Sequence, residues 1–286
     1  MPKPAIPTAL VILLAALAGP FAAADSARAA EPLRIGTYAH YPPWTILGPD
    51  GRISGFEPDL VTELCRRLEA SCTLRAVDWE HIFDDLEAGR YDAYIGGMTI
   101  TAEREQRAAF SRPYATNTGS FATLAGSPLT AVLSLNRLDI DRSDAETRDG
   151  LAELFEALRG RRLGVHVATV HEQFADSHLG AIAEIRRYTE EQRQYDDLAQ
   201  GRLDAVLASS ASLYYFVATH RDQAQPPVLF GPLLKGRIFG RGLGAAMSRG
   251  NAALRRRLDA AITATIADGT LPGLSFKWFG YNVTGE

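Results

Sequence analysis

The segment "DDLEAGRYDAYIGG" at residues 84–97 returns as "DDLAQGRLDAVLAS" at residues 196–209, aligned without a gap 112 positions later. Both copies read as a helix that closes at a glycine, Gly89 or Gly201, in the left-handed conformation that glycine adopts most freely. An arginine follows in each, and then a buried strand that opens with Asp-Ala. The surroundings repeat as well. In the first half, residues 33–38 read as a strand. Residues 55–68 read as a helix with Leu60, Val61, Leu64 and Leu68 on one face, and "CTLRAV" as a second strand. In the second half, "RRLGVHVATVHEQF" at 161–174 mirrors the opening strand and "AEIRRY" supplies the next. A β-α-β-α-β order implies a mostly parallel sheet, so the chain is α/β and built as two lobes of similar architecture. Ligands of open α/β sheets bind beyond the carboxyl ends of the strands. The repeat strands end at Gly96-Gly97 and Ala208-Ser209, and two such ends facing each other make a cleft.

The linking segments fit two lobes joined twice. "GSFATLAGSP" (119–128) reads as a strand leaving the first unit, and "PVLFGPLLKG" (227–236) leads away from the second. Two crossings make a hinge. Residues 130–158 read as a charged insertion with one helix near "GLAELFEALRG", and the chain ends in an amphipathic helix, a glycine-containing break and a short final helix. The glycines of "FGRGLG" (239–244) lack the Lys-Ser/Thr ending of a phosphate loop and read as a tightly packed strand near the hinge. The expected organisation is 31–119 for lobe one, 120–233 for lobe two, and 234–286 for the return to lobe one.

Residues 1–30 stand apart. Lys3, the apolar run "ALVILLAALAG" and the small residues up to Ala30 read as a secretory signal, because the run is too short to span a bilayer. Its loss takes out Lys3, Arg28 and Asp25 and moves the net charge from −4 to −5. Such a weakly acidic protein has no basic surplus for nucleic acid or anionic membranes. The chain has two cysteines, Cys65 and Cys72, and an exported context favours their pairing. Two thiols and six scattered histidines offer no metal site, and no cofactor motif is present.

One stretch points to chemistry. In "GGMTITAEREQRAAFSRPY" (96–114) an apolar strand ends in Gly-Gly, passes Thr99 and Thr101, and enters a helix whose first turn contains Arg104. A helix N-terminus already carries free N–H groups and positive charge, so an arginine there calls for an anion. Thr101 reads as the cap, and Thr99 lies on the same side of the strand. Hydroxyls, backbone N–H groups and a guanidinium fork then converge as a socket for a carboxylate or phosphate. The alternative is that Arg104 pairs with Glu103, Glu105 or another acid on a solvated helix.

These residues resemble the periplasmic solute-binding proteins of ABC importers for polar amino acids, over essentially the whole chain after the signal. The resemblance rests on "GFEPDLVTELCRRLEASC", "AGRYDAYIGGMTITAEREQRAAFSRPY" and "ADGTLPGLSFKWFGYNV". Within that family, "GVHVATVHEQF", "FGPLLKGRIFGRGLG" and the ending are similar to the opine-binding branch, which takes up nopaline- or octopine-like conjugates of arginine. The resemblance implies a two-lobe, type II periplasmic-binding fold, a monomer that works with an inner-membrane permease, and no catalysis. By position it implies that Arg104 binds a ligand carboxylate with Thr99 and the backbone at Gly97. The Gly-Gly strand end would let the ligand approach the backbone. Tyr41 and Trp79 match positions where the family places aromatic surfaces against the ligand, and the alternative for Trp79 is a core aromatic. Thr169 matches a threonine that grips the same carboxylate. His171 reads as a ligand contact or a neighbour of that cap.

Two departures bear on the ligand. The aspartate that holds a ligand's ammonium in the usual amino acid binders is here Ser209, and an acid near the first loop is here Tyr38. An ammonium desolvated without a carboxylate loses a charged hydrogen bond of roughly 1.5–3 kcal/mol. A conjugated amino acid, or an acid lacking the ammonium, therefore suits the cleft better than free lysine or arginine. The same fold also resembles exported cyclohexadienyl dehydratases, whose general acid is a glutamate just after the second repeat strand; "ASSASLYY" has no carboxylate there. A third reading is a periplasmic sensor that reports occupancy to a membrane partner.

Overall fold

A computed structural model describes residue 1 and residues 31–132 and 136–284. The secretory signal read at residues 1–30 lies, but for its first residue, outside the described residues. Two large sheets carry the chain. The first has the order Ala70–Ala76, Glu31–Thr37, Ala93–Tyr94, Ala246–Met247, Ala109–Phe110. The second runs Glu184–Tyr188, Arg162–His166, Ala205–Ser209, Gly119–Leu124, Pro227–Lys235, Arg137–Asp139. In each, the first three strands are parallel and the next is antiparallel to both its neighbours. The fold is the two-lobe α/β arrangement expected from the repeat.

The repeat has a common physical cause. Gly89 and Gly201 take φ of 66° and 69° at the helix ends. The arginine after each turns back, so that the Arg90 N–H bonds the Asp85 carbonyl and the Arg202 N–H bonds that of Asp197. The strand-opening aspartates then hold the first strand of their own sheet. Asp92 Oδ2 accepts from the Arg34 N–H at 2.8 Å while Oδ1 takes the Arg34 guanidinium at 2.7 Å. Asp204 does the same to Arg162, at 2.8 and 2.9 Å. Asp-Ala thus pins the edge of a buried strand pair, in both lobes, with a charge-assisted bond.

Helix Phe56–Arg67 buries Phe56, Leu60, Val61 and Leu64 in the core of the first lobe. The Cys65–Cys72 disulfide is formed and ties its last turn to strand Ala70–Ala76. A loop so short limits its stabilisation to about 2 kcal/mol. The last helices, Ala252–Ala267 and Thr270–Phe279, break at Gly269 (φ 80°), and Leu254, Leu258, Ile262 and Leu271 join that same core. The second lobe packs Leu163, Val165, Leu207, Phe121 and Phe230 beneath Leu154, Phe174 and Leu179.

Three local readings change. The segment entered by Arg104 is a 3-10 turn, Arg104–Gln106, not a longer helix, because the chain must drop at once into strand Ala109–Phe110. Gly119–Leu124 and Pro227–Lys235 are adjacent antiparallel strands of the second sheet, so the first already belongs to the second unit, while Pro227–Lys235 leads out of it as read. The charged segment before residue 158 contributes the edge strand Arg137–Asp139 besides its helix, Ala145–Ala157. The chain passes between the sheets twice, after Phe110 and after Lys235. There Leu243 pairs with both Thr99 and Ala115. Gly240 makes this possible: with φ of 71°, a Cβ would lie 2.5 Å from the Ile100 carbonyl oxygen.

Candidate functional site

Seven of the eight candidate ligand residues line one cavity between the lobes. Tyr41, Trp79, Gly97, Thr99 and Arg104 come from the first lobe, and Thr169 and His171 from the second. Tyr38, Asn117, His166 and Val170 complete the lining. The volume enclosed is about 30 Å³, room for a water molecule and not for an amino acid. The lobes meet over it, Trp79 of one bonded to the Val167 carbonyl and Arg104 to the Ala168 carbonyl of the other.

Arg104 is the centre of this closure. Thr101 Oγ1 accepts its backbone N–H at 3.2 Å and so fixes the turn. Its Nη1 donates to the Thr99 carbonyl at 3.0 Å and its Nη2 reaches across to the Ala168 carbonyl at 2.9 Å. The guanidinium lies 5.6 Å from the centroid of the Trp79 ring, within cation–π range. It is 9% exposed, and burial lowers its pKa to about 10. Among the described residues no carboxylate forms a salt bridge with it; Glu103 instead accepts from Gln173 Nε2 across the cleft. The solvated ion pair of the alternative reading is absent here, and a buried cation held by two carbonyls remains.

The other residues take definite posts. Gly97 (φ 71°) leaves no room for a side chain, since a Cβ would sit 2.5 Å from Tyr41 Cε1. The glycine thus accommodates the Tyr41 ring, and its N–H is engaged by Glu57 Oε1 at 2.7 Å. That N–H is therefore already bonded, while Gly97 still lines the cavity. Thr99 Oγ1 accepts from Asn117 Nδ2 at 3.0 Å. Trp79 is half-buried, packs on a core cluster of the first lobe and donates Nε1 across the cleft to the Val167 carbonyl at 3.1 Å. Thr169 caps helix Val170–Phe174: its hydroxyl donates to the His166 carbonyl at 2.7 Å and accepts from the Glu172 N–H at 3.2 Å. Ala168, beside it, holds φ of 56°. That strained turn is what presents the Ala168 carbonyl to Arg104. His171 is buried with Nε2 unpartnered, and burial, aided by His166 and Arg104, lowers its pKa to about 3.

Ser209 is not in this lining. It is buried at the start of helix Ser210–His220, beside the Tyr41 phenol, and borders a separate hinge-side cavity of about 660 Å³. Two lining residues, His166 and Asn117, and two buried acids outside the lining, Glu57 and Glu191, escaped sequence reasoning. His166 stacks on Tyr38 at 5.8 Å and lies 5.7 Å from Trp79, and burial lowers its pKa to about 4. Asn117 sits in a crossing segment, whose sequence has no pattern to mark it. Glu57 is fully buried, accepts from Gly97 N–H and the Tyr114 hydroxyl, and burial raises its pKa to about 7. Glu191, also fully buried, has its pKa raised by burial to about 8.

A family model, the bacterial extracellular solute-binding proteins, family 3, matches residues 33–281. The octopine-binding periplasmic protein of Rhizobium meliloti is 31% identical over 96% of this chain and 98% of its own length. ABC transporter arginine-binding protein 1 of Escherichia coli K12 is 31% identical over 94% of this chain and 98% of its own. Among known structures, a periplasmic binding protein of Salmonella typhimurium described for its high arginine specificity superposes with a TM-score of 0.72. It is 25% identical and covers 87% of this chain and 100% of its own.

Proposed function

The chain belongs to the bacterial extracellular solute-binding proteins of family 3, and we propose that Arg104 is the group by which it captures the carboxylate of an amino acid or an opine-like conjugate. The protein is a periplasmic receptor of an ABC importer and not an enzyme. The observation that carries the ligand reading is the Arg104 guanidinium: buried, held by the Thr99 and Ala168 carbonyls, and without a salt-bridge partner among the described residues. A carboxylate offers such a fork two parallel charge-assisted bonds, which carbonyls of two different lobes do not match. Closing then brings Trp79 and Tyr41 of one lobe against His166 and His171 of the other, and an aliphatic or cationic side chain fits between these rings. The closed form docks on an inner-membrane permease, the protein acting as a monomer whose residues 1–30 direct export and are removed. Octopine-like conjugates fit because Ser209 carries no charge with which to hold a free ammonium.

The test is a thermal-shift screen of residues 31–286 against the proteinogenic amino acids, octopine, nopaline and small dicarboxylates. A ligand at a thousand times its dissociation constant stabilises by about 4 kcal/mol, a rise of roughly 8–16 °C for a chain of this size. Such a rise with an amino acid or opine is the expected result. No shift with any carboxylate-bearing compound contradicts the reading.

A further inference from the structure

Beside the cavity, though not in its lining, lies a buried acid without a salt-bridge partner. Glu191 opens helix Glu191–Ala199 in the second lobe, and the face it shares with Gln194, Tyr195 and Leu198 is buried. It is 2% exposed. Its Oε1 accepts from the Tyr195 hydroxyl at 2.8 Å, while Oε2 has no partner. Among the described residues no cation forms a salt bridge with it. An acid at a helix start is favourable in water, where the dipole and solvent both help. Buried and half-satisfied, it costs more than the dipole returns.

Its surroundings repeat the problem. Gln194 is fully buried with both amide atoms unpartnered, and the Tyr38 hydroxyl is also buried and unpartnered. Native proteins rarely leave so many buried polar atoms unmatched in one place. Helix Glu191–Ala199 packs on strand His40–Tyr41 of the first lobe, which sets Glu191 near Tyr38 and Tyr41, whose phenols are raised chiefly by burial and further by Glu191. Tyr38 in turn lies 5.8 Å from the Trp79 ring, over which Arg104 is placed. A lone buried cation and a lone buried acid thus stand at two ends of one aromatic row between the lobes.

We propose that Glu191 is a specificity-determining residue that pairs with a cationic nitrogen of the ligand, an ammonium, substituted ammonium or guanidinium, while Arg104 holds its carboxylate. The inference rests on the cleft being the ligand site. A zwitterion laid along Tyr38 and Trp79 supplies each buried charge with its counterpart. Gln194 and Tyr38 then offer the remaining hydrogen bonds. The protonated carboxyl that burial favours in the closed protein ionises once a cation lies beside it.

The test is calorimetric titration of the wild type, Glu191→Gln and Glu191→Asp with L-arginine, octopine and pyroglutamate, the last an acid without a cationic nitrogen. Thermal melts of the three proteins check folding. The expected result is that Glu191→Gln weakens the better-bound cationic compound by about tenfold or more, leaves pyroglutamate within about threefold, and that Glu191→Asp recovers part of the loss. Equal binding of the cationic compounds by wild type and Glu191→Gln overturns the proposal. So does a wild type that binds neither cationic compound. If pyroglutamate then still binds, the receptor reading stands and only the role of Glu191 fails; if nothing binds, both fail.

Discussion

Four buried ionisable residues set the pH behaviour of the closed protein. Glu57 and Glu191 are raised by burial from 4.5 to about 7 and about 8. His166 and His171 are lowered by burial from 6.5 to about 4 and about 3. A raised acid is protonated in the native state after the unfolded chain has ionised, so its stabilisation is complete below pH 4.5 and lost as pH rises through its folded pKa. A lowered histidine behaves oppositely, its contribution complete above pH 6.5 and lost as pH falls. Between 4.5 and 6.5 the two pairs cancel. Above 6.5 only the acids act, each at roughly 1.4 kcal/mol per pH unit while it remains protonated in the native state. The melting temperature without ligand should therefore be flat from pH 4.5 to 6.5 and fall by several degrees towards pH 8. A profile flat through pH 8.5 would contradict the burial assigned to the acids.

At the scale of elements, the repeat predicts equivalent variants in different lobes. Asp92→Ala removes the pin on strand Glu31–Thr37, and Asp204→Ala the pin on Arg162–His166. Each loses a charge-assisted bond to a backbone N–H besides an arginine contact, so each should destabilise by about 1.5–3 kcal/mol in urea denaturation. One costly variant beside one silent one would show that the two copies are alike in sequence only. The same repeat explains why the fold was legible. Gly89 with Arg90 and Gly201 with Arg202 are local signals, and helix Phe56–Arg67 has the spacing of its buried face written in it. The segment at 96–114 was legible as chemistry although its helix is only a turn, because the Thr101 hydroxyl caps Arg104 in either geometry. Glu191 was not legible. In "EEQRQYDDL" it sits among charged neighbours and reads as a solvated face. Its burial arises from tertiary packing of that helix on strand His40–Tyr41 of the other lobe, which no periodicity within nine residues records. The position of Ser209, next to Tyr41 yet outside the cavity, was hidden for the same reason.

The whole molecule is two lobes whose closure is held by few direct bonds. Arg104 to Ala168, Trp79 to Val167 and Gln173 to Glu103 cross the cleft, one neutral hydrogen bond of about 0.5–1.5 kcal/mol and two with a charged partner of about 1.5–3 kcal/mol each. Bonds of that strength let closure respond to a ligand, since a population shift follows the ligand's preference for one state over the other. On the proposed reading Arg104 exchanges partners, giving up the Ala168 carbonyl of the opposite lobe for a ligand carboxylate. The measurement that tests this most directly is calorimetric titration of the wild type and Arg104→Ala with whichever amino acid or opine the thermal screen selects. A folded Arg104→Ala protein that binds the ligand at least about a hundredfold more weakly is the predicted result, from a lost bidentate, desolvated ion pair of roughly 3–5 kcal/mol. Binding within about threefold of wild type would show that the carboxylate is held elsewhere and that the buried guanidinium serves closure alone.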